Sequence, residues 1–80
     1  MITGIQIRAA RAVLRWSIKD LAAKSGVSVP TIFRLEQEDG IPSSRSHTLA
    51  DLKATFEKAG IEFIGTPEDR PGVRFGAKRD

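Results

Sequence analysis

Eighty residues, 40% of them hydrophobic, suffice for one small domain with a single core. The chain has no cysteine, which excludes disulfides and thiolate metal sites. It has no apolar run near the length of a membrane span and no signal-peptide pattern, so a cytoplasmic protein without membrane attachment is expected. The net charge is +3, and residues 1–34 carry six basic side chains against Asp20 alone. That basic half favours a nucleic-acid partner, although a segregated solvated surface has the same composition.

The first helix is predicted over about residues 4–15. Thr3 and Gln6 have the spacing of a capping box at its start. Trp16 follows the helix, where a place at the edge of the core is favoured over stacking on single-stranded nucleic acid. Three apolar residues recur on one face at the period of an amphipathic helix: Ile7, Ala10 and Leu14.

Two shorter helices follow, joined by a tight turn. Ser17, with Asp20 three residues later, forms a capping box at the start of the first, and Gly26 ends it by supplying a left-handed residue. Ser28 caps the second, which is predicted to run to about Gln37. The helical period divides this second short helix into two faces. The inward face carries Ser28, Ile32, Leu35 and Glu36, and the outward face carries Val29, Pro30, Phe33, Arg34 and Gln37.

A polar loop over residues 38–47 leads to a fourth helix. Ile41, its one apolar residue, is predicted to insert into the core. Thr48 and Asp51 predict a capping box at the start of the fourth helix, and Gly60 ends that helix.

The C-terminal segment alternates at the period of a β-strand. Residues 61–65 and 72–76 are predicted strands on either side of a turn-rich loop, which predicts a hairpin, and residues 77–80 are expected to fray. A lone hairpin is marginal in water, so it must pack on the helices or extend its sheet with another chain. The candidate residues for a dimer contact are Ile61, Phe63, Val73 and Phe75.

A combined pattern extends from the first helix to the first strand. Its members are Arg11, Ser17, Leu21, Ala22, Gly26-Val27-Ser28, Thr31-Ile32, Arg34-Leu35-Glu36, Thr48-Leu49, Leu52 and Gly60-Ile61. This pattern resembles the helix-turn-helix of the Xre-type transcriptional regulators, the group that includes the lambdoid phage repressors and Cro. The resemblance implies a mainly α fold. Four helices would form a lambda-repressor-like DNA-binding domain over residues 1–60, followed by a C-terminal β-hairpin over residues 61–80.

The resemblance also implies sequence-specific binding of double-stranded DNA. The protein would act as a transcriptional regulator, and a repressor is expected. The helix at about residues 28–37 would lie in the major groove, and a homodimer would cover two half-sites. Arg34 suits a bidentate bond to guanine, and Val29 suits a thymine methyl group. By position the candidate base readers are Val29, Pro30, Phe33, Arg34 and Gln37.

Phosphate contacts are expected near the N-termini of the second and third helices and in the following loop. Ser17 and Ser28 also cap these helices, whether or not they contact a phosphate. Arg45 is as readily interpreted as a mobile loop charge. The candidates are Ser17, Lys19, Ser28, Thr31 and Arg45.

The sequence departs from the family at the start of the second helix and on the outward face of the third. Ile18 and Lys19 replace the usual Gln-Glu, and Lys19 alone retains a phosphate-binding charge. The alternative hypothesis is that Val29, Phe33 and Ile18 form a protein-binding patch, as in the antitoxin of a toxin–antitoxin pair. That protein partner would not exclude DNA binding.

Arg11 and Glu36 border the core faces of the first and third helices. In lambdoid repressors the equivalent residues form a partly buried ion pair, so the resemblance implies a structural pair here. His47 is the only histidine, and without cysteine or clustered carboxylates it does not build a metal site. No cofactor and no catalytic activity are expected.

Overall fold

The computed structural model describes residues 1–76, and the tail predicted to fray, residues 77–80, lies outside the described residues. The fold is mainly α, with a C-terminal antiparallel hairpin, as predicted. The elements are α1 (Gly4–Leu14), α2 (Ile18–Ser25), α3 (Val29–Glu36), α4 (Ser46–Lys58), β1 (Ile61–Thr66) and β2 (Asp69–Phe75).

The first three helices begin at the predicted caps. The Thr3 hydroxyl accepts from the Gln6 amide N–H, and the Gln6 side chain accepts from the Thr3 amide, so both halves of the capping box are present. Ser17 and Asp20 form the second box in the same way. Ser28 caps α3 through the amide of residue 31. Each cap satisfies backbone donors that have no partner within the helix.

The start of α4 differs from the prediction. The helix begins three residues earlier than predicted, at Ser46, after an N-cap at Arg45 that makes no side-chain capping bond. Thr48 is therefore already in the first turn, and its amide donates to the Arg45 carbonyl at 3.0 Å. The predicted capping box of Thr48 and Asp51 is wrong because Thr48 is buried inside the helix rather than placed before it.

The core lies where α1, α3 and α4 meet under α2. Phe56 is its largest fully buried side chain, and Trp16 stacks on it with ring centroids 5.8 Å apart. The prediction that Ile41 inserts into the core is wrong, because its side chain is exposed and the following residue, Pro42, is buried instead. The buried apolar cluster is Ile2, Ile7, Ala10, Leu21, Ile32, Leu35, Leu49, Leu52, Phe56 and Ile61.

The hairpin packs against this same core. Its strands extend into the predicted loop and leave a two-residue turn at 67–68, because a bulge at Gly65 lets pairing continue to Thr66 and Asp69. Gly65 has φ of 76°, and a side chain there would collide with the carbonyl of residue 70. Gln6 joins the hairpin to α1, since its Nε2 donates to the carbonyls of Ile64 at 3.2 Å and Gly72 at 2.9 Å.

Candidate nucleic-acid interface

Helices α2 and α3 form a compact pair joined by three residues. Gly26 ends α2 with φ of 79°, and its amide donates to the Ala22 carbonyl at 2.9 Å. This left-handed residue reverses the chain without a steric penalty, because glycine has no Cβ. Ser25 steadies the turn by accepting from the Val27 amide at 3.1 Å. The turn therefore fixes the direction in which α3 leaves α2.

The inward face of α3 is held to α1 by an ion pair. Arg11 Nε and Nη2 donate to the two carboxylate oxygens of Glu36 at 2.9 and 2.8 Å, and Arg11 Nη1 donates to the Trp16 carbonyl at 3.0 Å. The Glu36 side chain is 3% exposed and that of Arg11 is 23% exposed. Hydrogen bonding to Glu36 raises the pKa of Arg11 despite the opposing effect of burial. The structure thus contains the pair that the resemblance implied, in a bidentate geometry.

All five candidate base readers lie on the surface of α3, opposite the core. Val29 is 38% exposed and Phe33 is 56% exposed. Pro30, Arg34 and Gln37 are exposed as well. The face is continuous because these residues recur at helical spacing. It is the part of the helix pair that a large ligand can reach.

The two hydrogen-bonding side chains of this face both contact their own chain. Arg34 Nη1 donates to the Ser43 carbonyl at 2.8 Å, which draws the guanidinium toward the α3–α4 loop. Gln37 Nε2 donates to the Phe33 carbonyl one turn back at 3.2 Å. Phe33 and Val29 are the exposed large hydrophobic residues of α3.

A polar cavity of about 340 Å³ lies beside this face, between the helix turn and the start of α4. The N-termini of α3 and α4 both border it, and helix N-termini attract anions through unpaired N–H groups and the helix dipole. Its lining residues are Gly26, Val27, Ser28, Thr31, Arg34, Ser44, Arg45, His47, Thr48 and Asp51. The arrangement can accept a phosphate group, with Arg34 and Arg45 as the cationic members.

The structure brings three of the five candidate phosphate residues together in this cavity: Ser28, Thr31 and Arg45. The Ser28 hydroxyl donates to the Thr31 hydroxyl at 2.9 Å, so the two are already coupled. Ser17 and Lys19 lie apart from it at the start of α2, where Lys19 is exposed. His47, interpreted from the sequence as a loop residue, lies in the first turn of α4 and lines the cavity. Only the early start of α4 brings it there.

The start of α2 carries its own electrostatic feature. The Ser17 amide and hydroxyl hydrogen-bond to Asp20, which lowers the pKa of that carboxyl group. Asp20 is thus held in its charged form at the positive end of the helix.

The packing bears on two residues for which the sequence left a surface role open. Ile18 is partly buried against the core, which leaves only part of its side chain for the alternative protein-binding patch with Val29 and Phe33. Trp16 stacks on Phe56, and Lys24 Nζ lies 5.1 Å from its ring centroid. The tryptophan therefore belongs to the edge of the core, as the sequence favoured.

The four candidate dimer residues differ in accessibility. Ile61 is 3% exposed and packs in the core of its own chain, so its side chain is not available to a second copy. Phe63 and Val73 are paired across the strands and are partly buried against the core, with Phe63 meeting Phe56 edge-on. Phe75 is half exposed. Phe75 is thus the most exposed side chain of the four.

A comparison with protein families agrees with this geometry. The family model described as helix-turn-helix matches residues 7–46, which is half of the chain and includes most of α1, all of α2 and α3, and most of the polar loop. The chain is an Xre-type helix-turn-helix protein. No curated protein matches this helix-turn-helix protein in a sequence search. Among the residues that the structure describes, no helix combines the length and the apolar character that crossing a bilayer requires.

Family membership identifies the kind of ligand that the α2–α3 pair binds. In this helix-turn-helix protein the partner is DNA, and α3 is the second helix of the motif. The second helix of such a motif lies in the major groove with its N-terminal residues toward the base edges. The outward face of α3 and the polar cavity beside it are the two surfaces of the described chain that such docking would use.

Proposed function

We propose that the protein binds double-stranded DNA sequence-specifically as a transcriptional regulator, with α3 in the major groove. The observation that carries the proposal is the exposed outward face of α3, flanked by a cavity that contains Arg34 and Arg45. An exposed helix face beside a cationic cavity matches the division of a DNA interface into base contacts and phosphate contacts.

Phosphates position the protein in this proposal. A backbone phosphate enters the cavity beside α3, where it meets Arg45 and the positive dipole ends of α3 and α4. Lys19 contacts a second phosphate at the start of α2. Because these groups sit at fixed distances from α3, they set its depth and register in the groove.

Repression is the regulatory outcome that we favour. A protein seated over a promoter excludes polymerase from the same DNA, and this requires no further contact with the transcription machinery. One α3 reads only a half-site, so the functional unit is a homodimer on a two-fold site.

The dimer contact is proposed to involve the end of the hairpin, where Phe75 is half exposed beside Arg74. Because Ile61 is in the core, deleting the hairpin would unfold the domain rather than test this contact. Phe75→Glu is the cleaner variant. We expect monomers by sedimentation velocity with an unchanged helical spectrum, and persistent dimers would reject the contact.

The test of the main proposal is selection of bound duplexes from a random library by the full chain, followed by fluorescence anisotropy over a salt series. We expect a recovered two-fold site and a logarithmic salt slope of roughly −5 for about six phosphates. Arg45→Ala should reduce the magnitude of the slope by about 1. Lys53→Ala is the matched control, since Lys53 lies on α4 outside the cavity and pairs with Glu57 at 3.8 Å.

A second candidate function is binding to a protein, such as a toxin for which this chain is the antitoxin. The exposure of Val29 and Phe33 favours it, because exposed apolar clusters often mark interfaces. Such a complex would persist at high salt and would be lost in Phe33→Asp. If no DNA site is recovered and association is independent of salt, this function replaces the first.

A further inference from the structure

The outward face of α3 separates into two chemical classes. Its polar members are turned back onto the chain, with Arg34 bonded to the Ser43 carbonyl at 2.8 Å and Gln37 bonded to the Phe33 carbonyl at 3.2 Å. Its apolar members are Val29, Pro30 and Phe33, and no hydrogen bond orients their side chains. The face is therefore apolar at the point where a ligand would first meet it.

These three residues lie within the first five residues of α3 and form one strip, which we name the apolar strip. Val29 and Phe33 are four residues apart and so lie on the same side of the helix, and Pro30 follows Val29 in the first turn. The strip thus occupies the part of a recognition helix that meets base edges.

Only one feature of the major groove suits an apolar surface. All four bases present hydrogen-bonding groups there, and covering such groups without a partner is costly. Thymine adds a C5 methyl group beside its O4 acceptor, and 5-methylcytosine presents the same methyl group. Phenylalanine and aliphatic side chains contact this methyl favourably.

The surroundings of the apolar strip favour DNA over a protein partner. The cavity beside it contains Arg34, Arg45 and two helix N-termini against a single carboxylate, Asp51. A ligand that covers both surfaces must be apolar where it meets the strip and anionic a few ångströms away. A methylated base edge next to its own phosphate backbone meets both requirements.

We propose that the apolar strip reads 5-methylpyrimidines, so that operator specificity comes from buried methyl groups and not from hydrogen bonds of Arg34 and Gln37. This rests on the proposed DNA-binding function. In this scheme Arg34 is a positioning residue, because its bond to Ser43 holds the α3–α4 loop that borders the phosphate cavity.

The experiment uses the full chain and the duplex that it selects. Each thymine of the half-site is replaced in turn by deoxyuracil, which removes the methyl group and leaves the pairing edge intact. We expect a loss of roughly fourfold in affinity for each contacted methyl. In Phe33→Ala the preference for thymine over deoxyuracil should vanish at one position at least, while Gln37→Ala, the matched control on the same face, should retain it.

A second arm separates the two sources of the methyl group. Replacing a contacted T·A pair by a 5-methylcytosine·G pair should keep the affinity if the methyl alone is read, and should lower it if thymine itself is the ligand. Retained affinity supports the proposal, and lowered affinity contradicts it, because hydrogen-bonding groups of the base pair would then contribute to specificity.

Two outcomes contradict the inference in distinguishable ways. If the selected duplex binds tightly but tolerates deoxyuracil at every position, methyl reading is wrong and the DNA-binding function stands. If no duplex is selected, methyl reading and the proposed DNA-binding function are both wrong. Arg34→Ala separates positioning from reading, since a positioning role predicts weaker binding of all duplexes with an unchanged ratio of thymine to deoxyuracil affinity.

Discussion

The two faces of α3 contain similar side chains and have opposite environments. The inward face carries Ile32 and Leu35, both fully buried, and Glu36 paired with Arg11. The outward face carries Val29 and Phe33, both exposed. Hydrophobic residues on one helix therefore serve two purposes, because only one face is covered by α1 and α2. Changes on the inward face should cost stability, and changes on the outward face should cost binding.

The largest expected effect is a core truncation that tests this division directly. Leu35→Ala should lower the free energy of unfolding by about 2–5 kcal/mol, because it leaves a cavity beneath α3. Phe33→Ala, two residues away on the exposed face, should change stability by less than about 0.5 kcal/mol. Urea unfolding followed by circular dichroism measures both. Equal losses of unfolding free energy in the two variants would contradict the assignment of stability to the inward face of α3.

The next effect concerns the ion pair on the inward face. Glu36→Ala should cost about 3 kcal/mol, because it leaves the Arg11 guanidinium partly buried without its anion. The control is Glu62→Ala, which removes a pair of similar length, 2.8 Å to Arg74, in which both side chains are more than half exposed. That variant should lose at most about 1 kcal/mol. A Glu36→Ala protein that melts like the wild type would show that the pair adds nothing to stability.

The same contrast between buried and exposed polar groups applies outside α3. Gln6→Leu removes the donors that join α1 to the Ile64 and Gly72 carbonyls, at a cost of roughly 1–3 kcal/mol. Amide hydrogen exchange should accelerate in β1 and β2 more than in α2 and α3. Gln37→Leu is the control, because its amide bonds only within α3 at the surface. Unchanged hairpin protection would mean that apolar packing alone holds the strands.

The smallest effect is electrostatic and depends on pH. Hydrogen bonds from Ser17 lower the pKa of Asp20, so the folded state favours the carboxylate. Its contribution to stability is therefore present above the ordinary aspartate pKa and is lost as the pH falls through the lowered value. Wild type should exceed Asp20→Asn in stability at neutral pH, and the gap should close in acid. A gap that widens on acidification would contradict the assignment.

Much of the fold follows from local rules that the sequence displays. The caps at Thr3, Ser17 and Ser28 and the left-handed Gly26 depend on neighbouring residues alone, so spacing predicted them. The outward placement of the predicted base readers on α3 follows from helical period in the same way. The site could be outlined from the sequence because one helix supplies most of it.

The errors lie where distant contacts decide the outcome. Thr48 and Asp51 have the spacing of a cap, yet α4 continues to Ser46 and buries Thr48. Ile41 is more apolar than Pro42, yet the chain enters the α3–α4 loop with Pro42 inward. Neither result is visible in a local window, because each depends on how the loop meets the rest of the domain.

The sequence by itself determined the four helices, the capped starts of the first three, the two faces of α3 and the helix-turn-helix family. Tertiary structure decided which of the predicted site residues contact other parts of the chain. It turned Arg34 toward Ser43, gathered Ser28, Thr31, Arg45 and His47 around one cavity, and buried Ile61. The physical reason is that propensity and periodicity act over a few residues, whereas hydrogen-bond partners and burial depend on groups brought together from distant parts of the chain.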